Sequence, residues 1–210
     1  RLFLHDVQMS GCQNTPHTGT MSLRPAQAES DAAAIVSIYN YYIRESAATF
    51  EEEELSIETM KARIQAVTQS HWPWLVVERE QGRIEGYAYA TAWHERAAYR
   101  HSAEATIYLS PDALSQGVGS QLLGALLETL RKNTHHRVHL VFSAVTLPND
   151  ACARLHSKFG FKQAGFYPGA GRKFQRWRDT AIFLLPLIPR EAIDIEERKR
   201  EREVDNDASL

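Results

Sequence analysis

Residues 114–120 combine two glycines with the expected beginning of a leucine-rich helix, an arrangement suited to binding phosphate. Backbone N–H groups at a helix N-terminus have no partner within the helix and lie at the positive end of its dipole. A pyrophosphate can therefore dock there without a particular side chain, and Gly117 and Gly119 allow its close approach. The segment predicts a site for a phosphate-bearing ligand.

Spacing excludes two common phosphate motifs. The dinucleotide pattern G-x-G-x-x-G would need glycine at Leu122. The Walker pattern fits from Gly119 to Gly124, but Ala125 stands where it requires lysine. We therefore expect a different phosphate-bearing cofactor.

Glu104 is the candidate for acid–base chemistry. It lies in an apolar strand pattern at residues 103–109, a setting that can raise a carboxyl pKa from about 4.3 towards a value useful for proton transfer. The alternative is a structural carboxylate paired with Arg96 or Arg100.

No metal site is predicted. His135, His136 and His139 lie at a helix-to-strand turn without an i, i+4 pair and are expected to face solvent. Cys12 and Cys152 form neither a disulfide framework nor zinc-ligand spacing.

Composition favours a small-molecule partner. The 210 residues carry a net charge of -2, so no basic field indicates nucleic acid or an anionic membrane. The apolar run at residues 181–188 is far shorter than the ~20 residues that span a bilayer. Residues 1–20 contain no apolar signal-peptide core, so a cytoplasmic location is expected.

Apolar spacing and capping residues predict four helices. The expected caps are Ser30, Ser56 and either Asn149 or Asp150, and a leucine stripe marks the helix after the glycine segment. The helices are expected at about residues 30–43, 56–67, 122–132 and 150–160.

Six strands are predicted between these helices. A Gln81-Gly82 turn joins the first two. The strands are expected at residues 74–79, 84–91, 103–110, 138–142, 161–166 and 174–187. The pattern predicts an α/β (α+β) domain at residues 21–188, with a mixed, twisted sheet flanked by helices. A disordered tail is expected at residues 1–20 and a charged tail at 189–210, and Met21 is a candidate natural start.

The ordered motifs resemble the GNAT superfamily of N-acetyltransferases, and more closely its phosphinothricin and methionine sulfoximine acetyltransferase subgroup. The resemblance covers residues 23–187. It rests on Tyr39-Asn40, Ala48-Thr49-Phe50-Glu51, Tyr99-Arg100, Glu104, Leu155-His156, Phe159-Gly160-Phe161, Gly171, Lys173-Phe174 and Arg176-Trp177-x-Asp179.

This resemblance implies acetyl-CoA as cosubstrate, a small amine as acceptor and a homodimer. The pantetheine arm would pair with the backbone of Ile107, Tyr108 and Leu109, and Asn149 would contact it further along. The pyrophosphate would rest on the amides of Ser115, Gln116, Gly117, Val118, Gly119 and Ser120. The substrate pocket would contain His94, Glu95, Arg96, Glu104, Ala105 and Thr106.

Two residues depart from the family loop, written Q/R-x-x-G-x-G/A. Leu114 replaces Arg or Gln, and Ser115 replaces the glycine usual in the subgroup. We expect weaker cofactor binding, on the order of tenfold for each 1.4 kcal/mol lost, with Gln116 as a partial substitute.

Acetyl transfer requires a neutral amine and a polarised thioester carbonyl, and the resemblance makes Glu104 the general base. Backbone N–H groups of Ile107 or Leu109 would polarise the carbonyl if a local bulge frees them. Arg96 and His94 are candidates for an acidic substrate group.

Two further side chains have open roles. Tyr108 is a candidate proton donor to the thiolate, with packing as its alternative. His156 either contacts a ligand or lies on a helix surface.

The expected reaction is acetylation of the α-amino group of an amino-acid-like molecule by direct transfer. A non-catalytic acyl-CoA-binding module, or an acetyltransferase of protein N-termini or lysines, is the alternative.

Overall fold

A mixed seven-stranded sheet with helices on both faces forms the centre of the computed structural model, which describes residues 21–79, 82–195 and 198–199. The helices are α1 (Ala28–Glu45), α2 (Ile57–Gln69), α3 (Val118–Arg131) and α4 (Asp150–Lys158). The strands are β1 (Met21–Pro25), β2 (Trp74–Arg79), β3 (Arg83–Ala92), β4 (Ser102–Leu109), β5 (Leu140–Thr146), β6 (Lys162–Lys173) and β7 (Arg176–Pro186). The predicted sheet flanked by helices is confirmed.

The strand order is β1-β2-β3-β4-β5-β7-β6, and β4 and β5 form its one parallel pair. β3 and β4 pair regularly over seven positions, from Gly86↔Leu109 to Ala92↔Ala103. β4 and β5 pair at only three positions, from Ser102↔Leu140 to Glu104↔Phe142. The two halves of the sheet are therefore joined over a short distance.

Each face of the sheet has its own apolar core. The leucine stripe of α3 packs on one face, and its five leucines are at most 2% exposed because their spacing places them all towards the sheet: Leu122, Leu123, Leu126, Leu127 and Leu130. Burial of each such side chain contributes about 1.5 to 3 kcal/mol. On the other face, α1 and α2 pack through Ile35, Ile43, Met60 and Ile64 against Trp74 and Val76.

Two predicted helix caps are confirmed and one is wrong. Ser56 accepts a hydrogen bond from the Thr59 N–H, and Asn149 accepts one from the Cys152 N–H. Ser30 is not a cap, because α1 begins two residues earlier at Ala28. The buried Asp31 carboxylate accepts the Gln27 N–H at 2.7 Å and an ion pair from Arg24 at 2.7 Å.

Some local structure was not predicted from the sequence. β1 pairs with β2 although its burial pattern does not alternate regularly. His136 does not project into solvent as expected, because its ring stacks on Trp72 with centroids 3.7 Å apart and its Nε2 contacts the Ser70 carbonyl. His139 is also half-buried, with Nδ1 2.6 Å from the Ile188 carbonyl oxygen.

The predicted tails lie largely outside the described residues. Residues 1–20, with Cys12, and Gln81 of the predicted turn are among those outside. Of the predicted charged tail, residues 190–195 are helical and Ile193 is buried.

We predict that Gly86→Ala destabilises the fold. A Cβ at this position would lie 2.9 Å from the Tyr108 carbonyl oxygen and 2.7 Å from Leu109 Cδ2, so backbone has to shift, at a cost of about 1 to 3 kcal/mol. Urea denaturation measures the change. The matched control is Gly165→Ala, where the new Cβ meets Ile182 at an ordinary 3.4 Å and should be neutral or slightly stabilising. Equal effects of the two substitutions would contradict the prediction.

Candidate active site

The sheet opens between β4 and β5. Their pairing ends at Glu104↔Phe142, and beyond it a cavity of about 870 Å³ is lined by β4 up to Leu109 and by residues 143–149 of β5 and the following loop. Each strand instead follows its other neighbour, β3 for β4 and β7 for β5. The divergence therefore creates the cavity.

Backbone groups of β4 point into this opening. The Ser102 carbonyl accepts the Trp93 N–H at 3.0 Å, and the Ser110 N–H donates to the Glu85 carbonyl at 2.8 Å, so even-numbered residues of β4 bond to β3. The main-chain groups of Ile107 and Leu109 consequently face the side where β5 has diverged. The expected bulge is absent, because the β3–β4 ladder has no register shift. Divergence of β5 instead leaves these groups without a partner strand, and the Leu109 carbonyl accepts the Tyr42 hydroxyl at 2.8 Å.

The cavity is lined from both faces of the sheet. Side chains of Glu104, Thr106 and Tyr108 lie on the face that carries α1, because residues alternate along a strand. The opposite face contributes Leu155 and His156 of α4. Two reactants can therefore approach one another through the sheet.

Glu104 is a half-buried carboxylate in this cavity. Desolvation by burial raises its pKa above the usual value of 4.5. Within the described residues no salt bridge to Glu104 is formed, so the structural alternative of an ion pair with arginine has no support there. A carboxylate with a raised pKa in a cleft is suited to accepting a proton.

The glycine segment forms a turn of unpaired amides ahead of α3. Gly117 is the N-cap with φ 82°, and the N–H groups of Ser120 and Gln121 bond to its carbonyl at 3.0 and 3.2 Å. In the described part of the chain, the N–H groups of residues 115–119 have no hydrogen-bond acceptor. The turn thus presents several donors at the positive end of a helix.

Two side chains of this turn behave differently from expectation. Ser115 has φ 61°, the left-handed conformation that glycine adopts freely and that costs another residue about 1 to 2 kcal/mol. The Gln116 amide is already engaged, since its Oε1 accepts from Arg79 at 2.8 Å and its Nε2 donates to the Asp112 carbonyl at 2.5 Å. Gln116 is therefore poorly placed to replace the missing cation at Leu114.

A cation from α4 lies beside the turn. Lys158 Nζ donates to Ser120 Oγ at 3.0 Å, which places a positive charge at the first turn of α3. Sequence reasoning missed this residue, although its position in the last turn of α4, just before Phe159-Gly160-Phe161, was a usable signal.

The structure separates the expected substrate residues into two groups. Glu104, Ala105 and Thr106 line the cavity. His94, Glu95 and Arg96 lie on the exposed loop after β3 and are not among its lining residues. The His94 ring instead stacks on Tyr99 with centroids 5.2 Å apart.

Other expected contact residues do line the cavity. Ile107, Tyr108 and Leu109 form one side of it, and Asn149 lies at its α4 end. His156 is 1% exposed, so its helix-surface alternative is wrong. Its Nδ1 lies 2.8 Å from the Cys152 carbonyl oxygen, and desolvation by burial lowers its pKa.

A buried lysine binds the segment after α1, residues 46–50, which forms one wall of the cavity. Lys173 Nζ donates to the carbonyls of Tyr42, Ser46 and Thr49 at 3.3, 2.8 and 2.8 Å. Desolvation by burial lowers its pKa. Beside it, a Cβ added at Gly171 would overlap the Phe50 ring of the same wall. The wall is thereby joined to β6.

Two polar residues of β7 in the cavity were also missed. Arg178 and Thr180 line it, and each has a buried side-chain atom without a hydrogen-bond partner, Nε and Oγ1 respectively. Arg178 is the unspecified residue of the Arg176-Trp177-x-Asp179 motif, and the spacing of that motif does not place it or Thr180 near Glu104.

Residues 21–79, 82–195 and 198–199 lack two other kinds of functional feature. No group of three or more His, Cys, Asp or Glu residues there is arranged to hold a metal ion. No helix in that part of the chain is long and apolar enough to cross a membrane.

Comparison with known proteins agrees with this geometry. Residues 25–182 match the acetyltransferase (GNAT) domain family. Phosphinothricin N-acetyltransferase of Alcaligenes faecalis is 38% identical over 76% of this chain and 79% of its own length. The L-methionine sulfoximine/L-methionine sulfone acetyltransferase of Pseudomonas paraeruginosa is 31% identical over 76% and 91%.

A solved structure shares the fold. The phosphinothricin acetyltransferase of Sinorhizobium meliloti in complex with acetyl-CoA has a TM-score of 0.74 and 34% identity, covering 80% of this chain and 89% of its own. The opened sheet, the turn before α3 and these similarities show that the chain belongs to the GNAT acetyltransferase family and is an N-acetyltransferase.

Proposed function

We propose that this enzyme transfers the acetyl group of acetyl-CoA to the α-amino group of a small amino-acid-like molecule, such as phosphinothricin, methionine sulfoximine or methionine sulfone. The observation that carries the proposal is the opening between β4 and β5, which brings the Glu104 carboxylate and the main chain of residues 105–109 into one cavity. The names of the relatives supply the acceptor class.

The cosubstrate would lie along β4 and end at the turn before α3. The main-chain groups of Ile107 and the Leu109 N–H are available to the pantetheine amides, because β5 does not pair with them, whereas the Leu109 carbonyl already accepts the Tyr42 hydroxyl at 2.8 Å. The amides of residues 115–120 would hold the pyrophosphate, and Asn149 would border the arm at the start of α4.

Glu104 would act as the general base. A lysine amine with a pKa near 10.4 needs about 4.6 kcal/mol to become neutral at pH 7, and an α-amino group needs less because its pKa is lower. Glu104 accepts the amine proton, directly or through water, while the nitrogen bonds to the acetyl carbonyl carbon and the carbon–sulfur bond breaks. A β4 N–H at Ile107 or Leu109 would stabilise the developing oxyanion.

Tyr108 is a weak candidate for protonating the leaving thiolate. Desolvation by burial raises its pKa well above the usual 10.0, and its hydroxyl lies 3.4 Å from the Ala48 carbonyl oxygen within a group of packed tyrosines. A hydroxyl with such a raised pKa is a poor proton donor to a thiolate, so we propose that water protonates the leaving thiolate.

A thiol-release assay tests the proposed function. The purified protein is mixed with acetyl-CoA and a panel of amino acids that includes the three named acceptors, and free thiol is followed. Thiol should appear with at least one of them and not with its N-acetylated form, which has no free amine. Acetyl-CoA binding is measured in parallel by calorimetry. Binding heat without thiol release from any acceptor would favour the non-catalytic module and refute this proposal.

We predict that Glu104→Gln lowers kcat at pH 7 on the order of a hundredfold and leaves acetyl-CoA affinity unchanged, because only the proton acceptor is lost. In the unsubstituted enzyme, kcat should rise with pH as the carboxylate ionises, in a step above 4.5 because its pKa is raised. The variant should lack this step. Glu58→Gln, on the exposed face of α2, is the matched control. Unchanged turnover in the Glu104 variant would remove it from the mechanism.

We further propose that Lys158 supplies the positive charge that Leu114 cannot. Its ammonium lies at the beginning of α3, 3.0 Å from Ser120 Oγ, at one end of the amides proposed to hold the pyrophosphate. The side chain is exposed, so its contribution is modest and sensitive to salt.

Lys158→Met should weaken acetyl-CoA binding about two- to fivefold at low ionic strength, with the difference shrinking as KCl is added. Calorimetry measures both affinities. Lys132→Met, at the opposite end of α3, is the control and should leave the affinity unchanged. An unaltered dissociation constant for the Lys158 variant at low salt would exclude the role.

A homodimer is also proposed, formed through the β6–β7 hairpin. Four large aromatic side chains there are 50% to 69% exposed, an apolar surface that a second copy would cover: Phe166, Tyr167, Phe174 and Trp177. Sedimentation velocity should find a dimer, and Trp177→Ser should shift it towards monomer. A monomeric unsubstituted protein at micromolar concentration would contradict the assignment.

A further inference from the structure

Arg178 is the single Arg or Lys among the described residues that line the cavity. The lining carboxylates are Glu45 and Glu104, and within the described chain neither forms a salt bridge with Arg178. The positive charge is therefore not neutralised by a neighbouring side chain. Such a charge in a substrate cavity is available to an incoming anion.

Arg178 and Thr180 act from the same face of one strand. They are two residues apart on β7, so both project to the same side of the sheet, and both line the cavity. Thr180 pairs in register with Thr146, at the end of β5 that borders the opening. Arg178 pairs in register with Gly171, which the Phe50 ring of the cavity wall covers.

Both residues have unmet hydrogen-bonding capacity. Arg178 Nε and Thr180 Oγ1 are buried, and neither has a partner within the described chain. Leaving buried polar groups unpaired is unfavourable, and native proteins rarely do so outside functional sites. Within the described chain, these two side chains therefore carry polar atoms that no protein group pairs with.

We propose that Arg178 and Thr180 form a subsite for an oxyanion of the acceptor substrate, either its carboxylate or an acidic group on its side chain. The guanidinium donates two parallel hydrogen bonds to the oxyanion, and the threonine hydroxyl donates a third. The sequence predicted that Arg96 and His94 bind an acidic substrate group, but both lie outside the cavity lining. The subsite assigns this role to Arg178 and Thr180. The inference rests on the proposed function, since it assigns the substrate class of that same site.

Pairs of acceptors test the subsite in the unsubstituted enzyme. Methionine sulfone is compared with its carboxamide, which keeps the amine and removes the carboxylate. The acid should have a kcat/KM about ten- to a hundredfold higher, through KM. The carboxamide also has a lower amine pKa than the acid, so more of it is neutral and reactive at pH 7. A measured preference for the acid therefore underestimates the contribution of the carboxylate.

Phosphinothricin and its carboxamide identify which oxyanion binds. If the α-carboxylate occupies the subsite, both carboxamides should show the same rise in KM relative to their parent acids. If the side-chain phosphinate occupies it, phosphinothricin carboxamide keeps its low KM and methionine sulfone shows no acid preference. Either pattern supports the subsite and names its occupant.

Substitution connects the effect to the residues. Arg178→Met should abolish the preference of about ten- to a hundredfold for the anionic acceptor. The affinity for acetyl-CoA and the kcat/KM for methionine sulfone carboxamide should stay unchanged. Arg178→Lys should retain part of the preference, because it keeps the charge but loses the bidentate geometry. Thr180→Val should have a smaller effect in the same direction. Arg176→Met, exposed on the same strand, is the matched control.

The outcomes separate this inference from the proposed function. The subsite is overturned, while the acetyltransferase assignment stands, if methionine sulfone and its carboxamide are used equally and phosphinothricin carboxamide also has no lower KM than methionine sulfone carboxamide. An anionic preference that survives in Arg178→Met would overturn it as well. If Arg178→Met fails to fold, the lysine variant and the acceptor pairs decide the question. No turnover of any acceptor would instead refute the proposed function.

Discussion

The parting of β4 from β5 after three residue pairs is the constraint on which the site depends. Seven pairs hold β4 to β3, and seven hold β5 to β7, so each strand follows the twist of its own half-sheet. Main-chain groups that a continuous ladder would satisfy are left facing a cavity. The position proposed for the elongated cosubstrate follows from this opening, because an extended chain of amides fits the place that β5 vacates.

In the turn before α3, the hydrogen-bond donors proposed for the pyrophosphate belong to the main chain, and the positive charge proposed for it belongs to a side chain. Ser115 keeps the left-handed backbone of a glycine, so the donor geometry survives the change of residue type at an energetic cost. The charge lost at Leu114 is not restored within the turn, where the Gln116 amide is bonded to its neighbours. A lysine from another helix lies at the same helix end. Donor geometry and charge thus come from different elements of the fold.

Local signals in the sequence predicted the local features well. The leucine stripe fixed the buried face of α3, and hydroxyl and amide caps fixed the beginnings of α2 and α4. Glu104 was selected because it lies in an apolar strand pattern and matches the family resemblance. Long-range features were not predictable in this way. Asp31 displaced the expected Ser30 cap through a partner on β1, and Arg178 reaches the cavity only because β7 lies next to β5. No spacing along the chain encodes either neighbour.

The three carbonyls gathered by Lys173 link segments that are distant along the chain. One ammonium on β6 fixes the wall after α1, and Phe50 of that wall covers Gly171 of the same strand. The wall and the β6–β7 hairpin therefore form a single structural unit beside the cavity. A chimaera that exchanges pockets with a relative has to transplant both segments together, and divergence of acceptor preference within such a lineage should leave paired changes in the two.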